Sequence, residues 1–212
     1  MEALILYFIL FYPGIMNVPA PGPISGIGTF STIRELSRTI TYAVPAFALL
    51  WYLMSDKKGF SALEAEKPGK KDLLPFIIGL TGLIIISIGI SLLIMFFPEP
   101  QGLPPPPKIS APHNPIGWIV IVLSCISTGY LEESYFRYYL LSKFDDLIPQ
   151  GALRIVLSTV LFAVCHIYEG PWGVMNAALA GMILGIVFIK YRSLHGVAIA
   201  HGVYNIFVYV IG

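Results

Sequence analysis

One segment limits the folds open to this chain more than any other. Residues 73–97 read LLPFIIGLTGLIIISIGISLLIMFF and contain no charged side chain. A helix needs about 20 mostly apolar residues to cross the ~30 Å hydrocarbon layer of a bilayer. Within that layer the backbone must satisfy its own hydrogen bonds, which a helix does inside one segment. Residues 73–97 are therefore predicted to form a transmembrane helix.

The composition of the whole chain agrees with that prediction. Of its 212 residues, 56% are hydrophobic and 12% are charged, whereas a soluble domain has about 25% charged residues. So few charges cannot cover a water-facing surface, and a formal net charge of +1 provides no basic patch for nucleic acid. Cys125 and Cys165 lie in apolar runs, so no disulfide framework is expected. These features exclude an ordinary soluble enzyme, a disordered regulator and a nucleic-acid-binding protein.

Further apolar runs predict that the chain crosses the bilayer several times. The predicted spans are residues 3–20, 39–54, 73–97, 116–142, 154–168, 174–189 and 194–212. The sequence shows no internal repeat and no separate soluble domain. Residues 1–212 are therefore expected to form a single, all-α integral membrane domain.

Positive charges predict the orientation of this domain. Lys and Arg residues cluster in the segments 55–72, 143–154 and 190–192, which seven spans place on one side of the membrane. The other side has only Arg34, Arg38 and Lys108. Cytoplasmic loops carry the excess of Lys and Arg, so the N-terminus is predicted to be cytoplasmic.

A few polar residues interrupt the late spans. They are Glu132, Glu133 and Arg137 in the fourth span, His166 in the fifth, and His201 and Asn205 in the seventh. Ionisable residues are costly inside a bilayer and normally face the interior of a helix bundle. Glu133 and Arg137 are four residues apart, so they share a helix face and can form an ion pair. Glu132 is rotated by about 100° from Glu133 and can point elsewhere. The same four-residue spacing predicts that His201 and Asn205 share a helix face, and that Phe162 contacts the imidazole of His166.

The depth of these residues favours a single site. With a rise of ~1.5 Å per residue, Glu132, His166 and His201 each lie about 12–18 Å from a helix end on the predicted cytoplasmic side. A carboxylate screened from water can act as a general base on a bound water molecule, and a second histidine with an amide can stabilise an oxyanion. Glutamate with two histidines is also a zinc-ligand set that leaves one position open for water. Both routes lead to hydrolysis of an amide bond by activated water.

The same residues carry a resemblance to a known family. Glu132-Glu133-Ser-Tyr-Phe-Arg137 matches EExxxR, Phe162-Ala-Val-Cys-His166 matches FxxxH, and His201-Gly-Val-Tyr-Asn205 matches HxxxN. In this order, on three late helices, the motifs resemble the CPBP family, which includes CAAX prenyl endopeptidases of the Rce1 type, bacterial Abi proteins and bacteriocin self-immunity proteins. The motif core of the resemblance covers residues 116–205.

The resemblance implies an intramembrane endopeptidase of about eight helices. The expected fold class is therefore an all-α, polytopic transmembrane bundle of about seven to eight helices. By resemblance, Glu132 and His166 would activate water, His201 and Asn205 would form the oxyanion site, and Glu133 and Arg137 would be structural or orienting. The substrate would be a membrane-associated or lipidated peptide, for example a prenylated CAAX-like C-terminus. The expected site faces the cytoplasmic leaflet.

Two alternatives concern the metal and the activity itself. The chain has no HExxH motif, which excludes a standard zincin site, and we expect no cofactor. If Zn²⁺ were bound instead, its ligands would be Glu132, His166 and His201. The rival function is a non-catalytic scaffold or bacteriocin-immunity factor that binds a partner through the polar cavity. A transporter is disfavoured, because transporters usually show repeated halves and the intramembrane charge here lies in the second half of the chain.

Overall fold

The computed structural model of the chain describes residues 2–16, 30–55, 68–97, 110–145 and 148–211. These residues form helices and turns but no strand. The α-helices are α1 (Glu2–Met16), α2 (Thr32–Ser55), α3 (Leu73–Phe96), α4 (Pro115–Glu133), α5 (Leu140–Asp145), α6 (Gly151–Val164), α7 (Gly170–Tyr191) and α8 (Leu194–Ile211). A π-helical segment, Ser134–Tyr139, joins α4 to α5 in one continuous rod. The described residues therefore form seven helical rods, which confirms the predicted fold class.

Three of the helical stretches are long and apolar enough to cross a membrane. They are Lys70–Phe96, Pro115–Phe144 and Ile167–Tyr191. Three shorter apolar helices accompany them, Glu2–Phe11, Gly151–Val164 and Leu194–Val210. Large apolar side chains such as Ile85, Ile88 and Leu92 of α3 are more than half exposed, as expected of a surface that faces lipid. The chain is an integral membrane protein.

Two helices begin or end away from the predicted span boundaries. The second span was expected over residues 39–54, but α2 already begins at Thr32. The first turns of α2 contain charged residues, which the search for apolar runs left out of the predicted span. Two of them, Arg38 and the buried Glu35, form an ion pair at 2.6 Å within the helix. The fifth span was expected over residues 154–168, but α6 ends at Val164. The last residues of the first predicted span, 17–20, lie outside the described residues.

The helix that carries both glutamates packs between α2 and α8. Small residues allow the approach to α8, because a Cβ atom added at Gly129 would lie 2.5 Å from the carbonyl oxygen of Ala198 and 2.9 Å from the backbone nitrogen of Gly202. No larger residue fits there without displacing backbone. The close approach brings the end of α4 beside the part of α8 that carries the first residue of the HxxxN motif.

The N-terminal helix packs over the π-helical segment. Tyr135 donates a hydrogen bond to the carbonyl oxygen of Ala3 at 2.6 Å, and Tyr139 donates one to the carboxylate of Glu2 at 2.9 Å. From α1, Phe11 reaches back to the segment, with its ring centroid 4.8 Å from that of Phe136. These contacts seal the π-helical segment inside the bundle.

Candidate active site

The EExxxR motif lies across the junction between α4 and the π-helical segment. Glu132 and Glu133 are the last two residues of α4, and Arg137 lies within Ser134–Tyr139. Short π-helical insertions are rare and often occur at functional sites. Nothing in the residue pattern predicted this insertion, because the apolar and polar spacing is that of an ordinary helix.

Glu133 is held by two partners in a completely buried ion network. Its Oε2 atom lies 3.0 Å from Nε of Arg137, and neither side chain has any exposed surface. Its Oε1 atom lies 2.9 Å from Nδ1 of His201. A carboxylate only accepts hydrogen bonds when ionised, so Nδ1 of His201 is the donor. The predicted Glu133–Arg137 ion pair is confirmed, and it also orients the histidine of α8.

Glu132 is placed differently from its neighbour. It keeps a small accessible surface, 8% of the residue. Its Oε2 atom lies 3.7 Å from Nε2 of His201, beyond hydrogen-bonding distance, and has no hydrogen-bond partner among the described residues. Consecutive glutamates on α4 therefore flank the same imidazole, Glu133 at hydrogen-bonding distance and Glu132 beyond it.

Contrary to the prediction, His166 lies outside a helix. It follows the C-cap residue Cys165 of α6 and begins a short 3₁₀ turn, Ile167–Glu169. Its Nδ1 atom lies 2.8 Å from the carbonyl oxygen of Phe162. Because a carbonyl can only accept, Nδ1 carries the proton, and in the neutral ring Nε2 is left as an acceptor. The apolar run continues through Val164 and Cys165, so the sequence pattern gave no sign of this earlier helix end.

Phe162 is a shared neighbour of the motif residues. Its ring centroid lies 4.6 Å from that of His166 and 5.9 Å from that of His201. The guanidinium carbon of Arg137 lies 4.8 Å from the same ring. The predicted contact between Phe162 and His166 is confirmed. The structure thus places both histidines and the arginine of the three motifs around one aromatic side chain.

Asn205 lies one turn beyond His201 on α8 and is half-buried. The helix therefore places the two side chains on one face, as the spacing predicted. The neighbouring turn of α8 is fixed to α7, because the amide nitrogen of Asn176 donates to the hydroxyl of Tyr204 at 3.1 Å.

The residues of the zinc alternative do not form a metal-binding group. Within the part of the chain that the structure describes, no three His, Cys, Asp or Glu side chains are arranged to hold a metal ion. The set of Glu132, His166 and His201 therefore does not fit Zn²⁺ in this arrangement. The expectation that the site needs no cofactor stays a prediction.

The sequence interpretation missed two polar contacts between the helices that carry the site and their neighbours. Tyr130 and His195 are joined by a hydrogen bond of 2.8 Å between α4 and α8. Asp72 and Ser193 form a buried hydrogen bond between the starts of α3 and α8. The signal for Asp72 was its position directly before the longest apolar run, where a helix N-cap is expected.

Comparison with known proteins agrees with the resemblance. Residues 114–207 match the family model described as type II CAAX prenyl endopeptidase Rce1-like. The matched region contains all six candidate residues of the three motifs. No curated protein and no solved structure is a significant match to the chain. From residue 114 to residue 207, the chain is therefore similar to the Rce1-like family of type II CAAX prenyl endopeptidases.

Proposed function

We propose that this protein is an intramembrane endopeptidase that hydrolyses a peptide bond with water activated by Glu132 and His166. The observation that carries the proposal is the contrast between the two glutamates. Glu133 is fully buried, with Oε1 hydrogen-bonded to His201 and Oε2 ion-paired with Arg137 at 3.0 Å, whereas Glu132 is 8% exposed and its Oε2 lies 3.7 Å from His201, beyond hydrogen-bonding distance. A general base needs an oxygen within hydrogen-bonding reach of the water it deprotonates.

The proposed reaction assigns one step to each of these groups. Glu132 accepts a proton from water, the resulting hydroxide attacks the scissile carbonyl carbon, and the C=O electron pair moves to the oxygen. His166 orients the water through Nε2, because its Nδ1 is committed to the Phe162 carbonyl. When the C–N bond breaks, the protonated Glu132 returns its proton to the leaving amine. The first product carries the new carboxylate and the second the new amino terminus.

His201 and Asn205 are proposed to stabilise the oxyanion. The Glu133 carboxylate binds Nδ1 of His201, which leaves Nε2 directed toward Glu132 at 3.7 Å. If His201 is an imidazolium, it and the Arg137 guanidinium together neutralise the carboxylates of Glu132 and Glu133. The buried group of four side chains then has no net charge. Donors aimed at the developing negative charge contribute most when they are preorganised in a water-poor site.

The proposed substrate is a membrane-associated or lipidated peptide, such as one with a prenylated CAAX-like C-terminus. The proposed catalytic groups lie in or directly beside helices of an integral membrane protein, so a substrate segment would reach them from the bilayer. We also propose that the N-terminus is cytoplasmic and that the site faces the cytoplasmic leaflet, because the Lys and Arg residues concentrate on that side. No nucleic acid is expected as a partner and no metal is required.

The test is cleavage by the purified protein in detergent. Wild type and Glu132→Gln are given a lipidated C-terminal peptide and a panel of unmodified peptides, each with and without a zinc chelator. We expect the wild type to cleave with or without chelator and Glu132→Gln to be inactive, because glutamine keeps the side-chain volume but cannot take the proton. Wild-type turnover by Glu132→Gln would contradict the role of Glu132. Chelator inhibition reversed by zinc would replace the metal-free mechanism.

One observation favours the second candidate, a binding protein without catalysis. The Glu133–Arg137–His201 network is joined without any reacting group, so it can persist for stability alone. The same experiment separates the two functions. Folded wild type that cleaves no peptide of the panel, but retains one of them on a column of immobilised protein, would support the scaffold or immunity factor.

A further inference from the structure

A buried hydrogen bond joins the starts of α3 and α8, outside the three motifs. Asp72 directly precedes α3 and is 7% exposed, and Ser193 directly precedes α8 and is 3% exposed. The Ser193 hydroxyl donates to Oδ1 of Asp72 at 2.6 Å. The two residues are 121 positions apart, so the bond fixes one helix start against the other.

The same two side chains also bind the backbone around them. The backbone N–H of Gly196 donates to Oγ of Ser193 at 3.0 Å, as toward an N-cap serine. The backbone N–H of Gly69 donates to Oδ2 of Asp72 at 2.7 Å. The Ser193 hydroxyl therefore accepts from the first turn of α8 and donates to the start of α3. The hydroxyl cannot rotate without losing one of these bonds. The Asp72 carboxylate is also stabilised by its position at helix N-termini, where the helix dipoles favour negative charge.

The first turn of α8 packs directly on the start of α3. A Cβ atom added at Gly196 would lie 2.8 Å from Cγ of Pro75 and 2.9 Å from the carbonyl oxygen of Asp72. There is therefore no free space between the start of α8 and the start of α3. The polar contact and the steric contact therefore fix the same point.

A second contact ties this turn of α8 to the helix with the glutamates. The hydroxyl of Tyr130 lies 2.8 Å from Nδ1 of His195. Tyr130 precedes Glu132 by two residues on α4. The start of α8 is thus held both from α3 and from the catalytic end of α4.

We propose that Asp72 is a positioning residue of the active site, which acts through Ser193 on the axial position of α8 and so holds the His201 imidazole against Glu132 and Glu133. His201 lies about 12 Å along α8 from Ser193, at ~1.5 Å per residue, and a hydrogen-bonded helix transmits a shift of its first turn over that length. Its 2.9 Å contact with Glu133 is lost after a displacement of about 1 Å. The expected effect on catalysis rests on the proposed function, whereas the expected effect on the position of His201 does not.

The test follows the His201 ring itself by nitrogen NMR of ¹⁵N-histidine-labelled protein in detergent. The chain has four histidines, and His201→Gln assigns the signal. Asp72→Ala and Ser193→Ala remove the contact, whereas Asp72→Asn keeps an oxygen that can accept from Ser193 and loses the oxygen that accepts from Gly69. The matched control is Ser158→Ala, which removes a buried serine hydroxyl that donates to the carbonyl oxygen of Phe136 at 2.8 Å, away from the start of α8.

In Asp72→Ala and Ser193→Ala we expect the His201 Nδ1 signal to move toward its position in Glu133→Gln. Asp72→Asn and Ser158→Ala should leave it near the wild-type position. On a peptide that the wild type cleaves, kcat should fall by up to about 100-fold with little change in KM, as for a misplaced catalytic group. An unmoved His201 signal in folded Ser193→Ala would overturn the proposal. If the wild type cleaves nothing, the proposed function fails, and the NMR signal alone decides the positioning.

Discussion

Two long helices, α3 and α4, are both able to cross the bilayer, but they meet different surroundings. α3 contains no ionisable side chain, and its apolar residues Ile85 and Ile88 are more than half exposed. The end of α4 and the π-helical segment carry Glu132, Glu133 and Arg137, all at least nine-tenths buried. The apolar side chains of α3 can face lipid directly. The charged side chains of the α4 rod need protein partners, because buried ions without partners are costly in a bilayer.

The comparison teaches where this protein is tolerant of change. The position of α4 depends on a few polar contacts and on close packing with α8. The outward face of α3 should tolerate any substitution that keeps it apolar. Three sets of substitutions test this difference, and they are described from the largest expected effect to the smallest.

Removing Arg137 should have the largest effect on stability. Arg137→Ala would leave Glu133 as a buried carboxylate without its cation and would empty the space over the Phe162 ring. Breaking a buried ion pair from one side costs about 3–5 kcal/mol. We expect loss of most folded protein, measured as monodisperse yield and unfolding midpoint in detergent. The control is Lys190→Ala on the exposed surface of α7, which should match wild type. An Arg137→Ala variant as stable as this control would contradict the role of the network.

A pair of glycine substitutions compares the two helices directly. Gly129→Ala would place a Cβ atom 2.5 Å from the backbone of α8, whereas a Cβ atom at Gly89 of α3 meets nothing within 4 Å. Overpacking costs about 1–3 kcal/mol, and alanine in an open helical position gains up to about 1 kcal/mol. We therefore expect the unfolding midpoint to fall in Gly129→Ala and to stay or rise in Gly89→Ala. Equal changes in both variants would show that the two helices are packed alike.

The smallest effect is expected where α1 meets the π-helical segment. Tyr135→Phe removes the 2.6 Å hydrogen bond to the Ala3 carbonyl but keeps the buried ring. One such bond contributes about 1 kcal/mol, so a modest fall of the unfolding midpoint is expected. Tyr7→Phe, which removes a bond to the Leu161 carbonyl instead, serves as the comparison. No change in Tyr135→Phe would mean that this hydrogen bond contributes nothing measurable to the position of α1.

Much of the fold was predictable because the apolar runs are long and their period is simple. The bundle class, the span at residues 73–97 and the Glu133–Arg137 ion pair all follow from spacing along single helices. The same local logic placed Phe162 against His166. These predictions needed no knowledge of which helices are neighbours.

The remaining features depend on contacts between distant parts of the chain. The start of α2 was missed because Arg38 is acceptable in the helix only through its pair with Glu35. The end of α6 before His166 was missed because its residues are as apolar as those within the helix. The bond between His201 and Glu133 spans 68 positions, and no spacing rule along one helix could show which of the two glutamates would receive it.

The central claim is that consecutive glutamates have separate roles, Glu132 in activating water and Glu133 in holding the site together. The most direct test measures peptide cleavage and thermal unfolding on the same preparations of Glu132→Gln and Glu133→Gln. We predict that Glu132→Gln is inactive and as stable as wild type, because Glu132 lies 3.7 Å from His201, beyond hydrogen-bonding distance. We predict that Glu133→Gln unfolds at a clearly lower temperature, because this carboxylate contacts Arg137 at 3.0 Å and His201 at 2.9 Å. A Glu133→Gln variant that is fully stable but inactive, beside an active Glu132→Gln, would show that the roles of the two residues are reversed.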